Sequence, residues 1–194
     1  MLILCLALPA CRAAKPESTL EKVTLNLTYI PNVQFAPFYV AIEEGIFANH
    51  GLDVNLAYGN EADMVALVGS DHQQFMIASG EQVLLSRAQG LPVISVREWY
   101  QHYPIGVASL KSSHILEPAD LRGKSIGLPG LFGASYIGFE ALAGHAGLSD
   151  DDYELRSIGF TQVVALVTGQ VDAVVVYLAN FFFFQQKTAY EINL

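Results

Sequence analysis

The residues best suited to chemistry fall in short stretches that alternate polar amides with flat rings. Residues 30–41 read IPNVQFAPFYVA. Pro31 and Pro37 fix φ and remove amide donors, which stiffens the segment. Asn32 and Gln34 carry side-chain amides that both donate and accept, and Tyr29, Phe35, Phe38 and Tyr39 add flat faces. A stiff loop with amides set between aromatics suits a flat, neutral, hydrogen-bonding heterocycle. Phe35 and Phe38 are equally suited to a core beneath the helix that follows. In IASGEQV, residues 77–83, Ser79 fits a helix N-cap. Glu81 either favours the helix dipole or accepts hydrogen bonds from ligand N–H groups. In GLPGLFGASY, residues 127–136, Gly130 and Gly133 let backbone amides approach a ligand, and the helix start carrying Ser135 favours an anionic or oxygen-rich group. Gly159-Phe160-Thr161-Gln162 sets another polar cluster, Thr161 and Gln162, at a helix start, whereas Asp172 reads as a turn terminator.

Several enzyme motifs begin and fail. Gly123-Lys124-Ser125 resembles the end of a phosphate-binding loop, but Pro118 stands where its first glycine is required and Ser125 opens a strand rather than a helix. Gly133, Ser135 and Gly138 miss the nucleophile-elbow spacing by one residue. The histidines at 50, 72, 102, 114 and 145 have no metal-ligand spacing. Cys5 and Cys11 are the only cysteines, so the body has no thiol for a nucleophile, a metal or a disulfide. Between Lys22 and Arg87 there is no basic residue, so no side-chain cation there could clamp a phosphate or sulfonate. No catalytic residue, metal or cofactor is predicted.

The elements that must carry these loops alternate along the chain. Val23, Leu25, Leu27 and Tyr29 alternate with polar residues, which predicts a strand. Helix 36–47, stopped by Gly51, is followed by strand 53–58, helix 62–68, strand 75–79 and helix 81–89. Strand 92–96 and strands 105–109 and 125–128 come next, then helix 134–146, strand 153–158, helix 161–167 and strand 172–177. This order predicts an α/β fold with mostly parallel sheets, whose ligands bind at the carboxyl ends of the strands. WYQHYP, residues 99–104, interrupts the alternation and suits a hinge between two lobes. The expected organisation is lobe 1 at 23–103 and a partial lobe 2 at 104–180.

Composition bounds the rest. The 194 residues carry a net charge of −9, which argues against a nucleic-acid partner. MLILCLALPA at the start reads as the apolar core of an export signal, too short to span a bilayer. Residues 8–11, LPAC, resemble a bacterial lipobox; a plain signal peptide is the alternative. Residues 1–11 are therefore expected to be a lipoprotein signal with lipidation at Cys11, and residues 12–22 a tether. The tail FFFFQQKTAYEINL, residues 181–194, fits neither a strand nor a helical stripe and is expected to be an appended artefact, a native strand edge being the alternative.

Three segments carry a family resemblance: TYIPNVQFAPFYVAIEEGIFANHGLDVNL (28–56), ASGEQVLLSRAQGLPVISV (78–96) and PADLRGKSIGLPG (118–130). Together they resemble the periplasmic solute-binding proteins of ABC importers, in the branch of thiamine-precursor, riboflavin and sulfonate/nitrate binders. The resemblance implies a two-lobed α/β fold of the type II periplasmic-binding-protein kind, here C-terminally truncated. It also implies a small-molecule ligand, permease and ATPase partners, and a place on the outer face of the cell membrane, held by a lipid anchor. Tyr29 would stack on a riboflavin or pyrimidine-precursor ring, Asn32 and Gln34 would bond its edge, and Tyr136 and Tyr177 would join from lobe 2. The alternatives within the resemblance are a sulfonate or nitrate binder and a hydroxymethylpyrimidine phosphate synthase, an enzyme that consumes its own histidine and bound pyridoxal phosphate. The synthases carry a cysteine-rich motif, which this body lacks. A sensory module fused to a signalling domain is a third possibility.

Overall fold

A computed structural model describes residues 20–180 and 192–193. The segments expected to be a signal and lipobox, and most of the tail, lie outside the described residues. The chain forms two sheets. The first has the order β2-β1-β3, from β1 (Glu21–Thr28), β2 (Leu52–Gly59) and β3 (Phe75–Ile77), and is wholly parallel. Parallel neighbours require crossovers, here made by helices. The chain passes from β1 to β2 through α1 (Ala36–Glu43) and α2 (Ile46–Asn49), and from β2 to β3 through α3 (Glu61–Gly69). Helix α4 (Gly80–Ala88) follows β3.

The predicted strand forms, but both faces of its end are covered: Leu27 is fully buried, as is its neighbour Asn26, whose amide donates to the Phe75 carbonyl at 3.0 Å and ties β1 to β3. Asn60 starts α3 by accepting from the Ala62 amide at 2.9 Å, and the helix buries Val65.

Two sequence expectations are corrected in this half. The single helix expected over 36–47 is two, because Gly45 takes φ +67° and its amide closes on Ile42, a left-handed step that ends α1. The strand expected over 92–96 does not form. Its β-branched residues offer a suitable face, but strand structure needs a neighbouring ladder, and β3 ends this sheet. Val93 is instead pinned by Arg87 Nη1, which donates to its carbonyl at 2.7 Å, while Ile94 and Val96 remain exposed.

The second sheet has the order β6-β5-β7-β4-β8, from β4 (Ile105–Leu110), β5 (Ser125–Leu128), β6 (Glu154–Ser157), β7 (Ala173–Tyr177) and β8 (Ile192–Asn193). β5 runs parallel to β6 and β7, whereas β4 is antiparallel to β7 and β8, so the sheet is mixed. The central strand AVVVY is buried on both faces. Ala173 and Val175 face the cluster of Leu121, Ile126, Leu128, Phe139 and Ala143 under α5 (Gly133–His145). Val174 and Val176 face Ala165 and Leu166 of α6 (Gln162–Val167). Asp172 fixes the start of β7, accepting from the Ser125 amide at 2.8 Å and the Ser125 hydroxyl at 2.7 Å, and is a structural clamp as its turn position suggested. Residues 192–193 of the tail pair with β4, with Leu110 opposite Ile192.

Candidate functional site

The carboxyl ends of the first-sheet strands and the start of α5 face each other, with the 98–104 connection between them. β1 delivers Tyr29 in a strained conformation, φ +87°, which L-residues rarely adopt. The position is held by its amide, which donates to the Gly59 carbonyl at 2.8 Å, and by its ring, whose centroid lies 4.1 Å from that of Phe160, edge to face. Phe160 belongs to the loop before α6, so this contact joins the two halves. Burial raises the Tyr29 phenol above its ordinary pKa.

Two carboxylates head the helices that follow β2 and β3. Glu61 heads α3; its Oε1 accepts from the Ser79 amide at 2.5 Å, and its Oε2 lies 3.6 Å from where a Cβ on Gly133 would stand. Burial raises the Glu61 pKa, the Ser79 amide opposes that, and the charge of Glu81 adds to it. Glu81 heads α4, and its Oε1 lies 3.1 Å from the Tyr103 hydroxyl. That hydroxyl also reaches the Ala134 carbonyl in the first turn of α5, at 2.9 Å. The Tyr103 ring packs on α5 at Gly138, where a Cβ would stand 2.7 Å from its Cε1. Tyr177, at the end of β7, lies with its ring centroid 6.4 Å from that of Tyr100. Burial raises the Tyr103 and Tyr177 phenols well above their ordinary range, and both carboxylates raise them further, so both stay protonated donors.

The sequence-selected residues divide. Glu81, Gly133 and Tyr177 lie beside Glu61 and Tyr103 where the halves meet, Tyr29 lies on a separate contact with Phe160, and Gln34 accepts from the Tyr100 hydroxyl at 3.2 Å. Asn32 is engaged with its own loop: it accepts from the Gln34 amide at 3.0 Å and donates to the Ile30 carbonyl at 2.7 Å. Phe35 is core, 2% exposed, and Phe38 stacks on Trp99 at 4.6 Å. The Tyr39 hydroxyl accepts from Tyr58 at 3.0 Å. Gly130 leaves room for the Phe132 ring, which a Cβ would meet at 2.4 Å. Ser135 is buried in α5 and Tyr136 packs on the second-sheet core. Thr161 donates to the Ile158 carbonyl at 2.7 Å, and Gln162 opens α6, half-buried.

Sequence reasoning missed Glu61, Tyr100, Tyr103 and Phe160. Glu61 follows a strand end, so the rule that pointed to Glu81 applied to it as well. Phe160 stood in a segment read for its polar residues, and the two tyrosines in one read only as a hinge. Among the described residues, no group of three His, Cys, Asp or Glu side chains could hold a metal ion.

A family model described as NMT1/THI5 like matches residues 32–193. The chain is 38% identical over 174 residues to the riboflavin-binding protein RibY of Chloroflexus aurantiacus, covering 88% of this chain and 50% of that protein. It is 32% identical over 178 residues to the formylaminopyrimidine-binding protein of Halalkalibacterium halodurans, covering 90% and 54%. It is also 32% identical over 155 residues to the 4-amino-5-hydroxymethyl-2-methylpyrimidine phosphate synthase THI13 of Saccharomyces cerevisiae, covering 79% and 45%. The chain thus spans about half the length of the curated relatives it matches. Among solved structures, the periplasmic aliphatic sulphonate binding protein SsuA of Escherichia coli superposes with a TM-score of 0.68 at 13% identity, over 90% of this chain and 59% of that one. The likeness shows the type II periplasmic-binding-protein fold, and the shares covered show a chain shorter than its neighbours.

Proposed function

The chain belongs to the NMT1/THI5-like family, and from that membership and the cleft we propose that it is the solute-binding component of an ABC importer. Its ligand is a flat, uncharged heterocycle, riboflavin or a pyrimidine precursor of thiamine. The observation that carries this reading is the meeting of Tyr29 and Phe160 from opposite halves, and the carboxylates Glu61 and Glu81, at the starts of the helices after β2 and β3, add acceptors. Rings from both halves give a flat ligand faces to stack on, and Glu61 and Glu81 accept from its N–H groups. The lack of any basic residue between Lys22 and Arg87 disfavours a sulfonate or nitrate.

In this reading lobe 1 is 23–103 and lobe 2 is 104–180. Binding is closure: contacts from both lobes favour the closed state, which a permease with its ATPase would read, and no bond is made or broken. The protein is held outside the cell membrane through Cys11. Riboflavin is favoured over the pyrimidine by the identity to RibY, and the formylaminopyrimidine-binding relative supports the second ligand. The synthase reading draws on THI13, but the body here has no cysteine for the motif those enzymes resemble one another in. Titrating the protein into riboflavin while following flavin emission tests the proposal. Quenching with saturation at micromolar protein supports it; unquenched emission removes riboflavin, and calorimetry with formylaminopyrimidine then decides the second ligand.

A further inference from the structure

The Tyr103 hydroxyl faces two acceptors with one proton. Glu81 Oε1 stands at 3.1 Å on the first lobe and the Ala134 carbonyl oxygen at 2.9 Å on the second. A phenol donates once, so at any instant only one of the two acceptors holds its proton. One edge of the half-exposed ring lies on Gly138, where even a methyl group would clash with it. Tyr103 sits at the end of the connection between the lobes, one residue before Pro104, whose carbonyl accepts from the Leu178 amide at 2.9 Å. The hydroxyl is therefore a shared donor at the junction of lobe 1, hinge and lobe 2.

We propose that Tyr103 is a positioning residue that couples ligand capture to closure. When an N–H of the ligand satisfies Glu81, the Tyr103 proton passes wholly to the Ala134 carbonyl, and the hinge is drawn onto the start of α5. Without ligand, Glu81 competes for that proton and the contact between hinge and second lobe is weaker. The consequence is that a contact made only to lobe 1 tightens lobe 2. The raised pKa of the phenol accords with this, since the group has its proton to give throughout the neutral range. The inference rests on the proposed function, because it needs a ligand that donates to Glu81.

The experiment is a double-mutant cycle on the full chain, with riboflavin as probe and formylaminopyrimidine if riboflavin fails. Affinity is read by flavin quenching or calorimetry, and closure by small-angle scattering with and without ligand. Tyr103→Phe keeps the ring on Gly138 and removes the hydroxyl. It is expected to weaken binding three- to tenfold and to reduce the ligand-induced compaction. Glu81→Gln is expected to weaken binding as well, and the double variant to be little weaker than Glu81→Gln alone, because the hydroxyl acts through Glu81. Tyr103→Phe with unchanged affinity and compaction, or single effects that multiply in the double variant, overturns the coupling. If Tyr103→Phe fails to fold, Tyr103→His, which keeps a ring and a donor nearer the backbone, is put through the same cycle with the same criteria. A wild-type protein that binds neither probe overturns the proposed function itself and the coupling with it, an outcome separate from one in which it binds and shows no coupling.

Discussion

Tyr29 combines strain, burial and an interlobe contact in one residue, and its removal has effects that can be separated. Tyr29→Ala loses a stacking face and the edge contact with Phe160, and is expected to weaken binding by about 1–3 kcal/mol, by analogy with base–aromatic stacking. Flavin titration checks this; unchanged affinity would mean that the ligand lies elsewhere. Glu61 gives a pH signature. Burial holds its carboxyl above the ordinary value of 4.5, so the folded protein takes up its proton more readily than the unfolded chain. Stability from this group is full below that value and is lost as pH rises through the folded pKa. Glu61→Gln is therefore expected to flatten the fall in urea midpoint above pH 4.5 while still accepting the Ser79 amide. A parallel pH profile in the variant would show that Glu61 titrates as in the unfolded chain.

Among the elements, β5 is closely packed at Gly127. Gly127 lies where a Cβ would stand 2.6 Å from Ile158 Cδ1 and 3.1 Å from Val171, so Gly127→Ala overpacks the sheet between β6 and β7. The expected cost is about 1–3 kcal/mol, read as a lower thermal midpoint with ligand affinity kept in the folded fraction. Most elements were legible because their patterns are local. The alternation of β1, the continuous apolar run of β7 and the glycines after helices each require only the neighbouring residues. Residues 92–96 show the limit: β-branched residues favour an extended chain, but a strand exists only where a partner supplies the ladder, and that is a property of the sheet. The break at Gly45 shows the same for helices, since a glycine inside an apolar period reads equally as interior or as a left-handed end.

For the whole molecule, the proposed closure is the event to measure. Riboflavin is expected to lower the radius of gyration in scattering, while methanesulfonate leaves it unchanged, since no first-lobe cation between Lys22 and Arg87 meets an anion. Compaction by the sulfonate and not by riboflavin would reverse the ligand assignment.

The sequence by itself determined the α/β alternation, the two halves with an aromatic connection between them, and the loops in which the cleft residues lie. These follow from side-chain period, turn chemistry and charge, all carried by short stretches of chain. Only the tertiary structure decided which side chains in those loops meet residues of the other half and which bond within their own loop. Asn32 and Thr161 had suitable groups but found partners two and three residues away, whereas Tyr39, Phe160, Glu61 and Tyr103 meet residues of elements distant in the chain. A polar or aromatic residue states what it can bond to; which bond it makes depends on what the fold brings within about 3 Å for a hydrogen bond, and sequence spacing does not carry that distance.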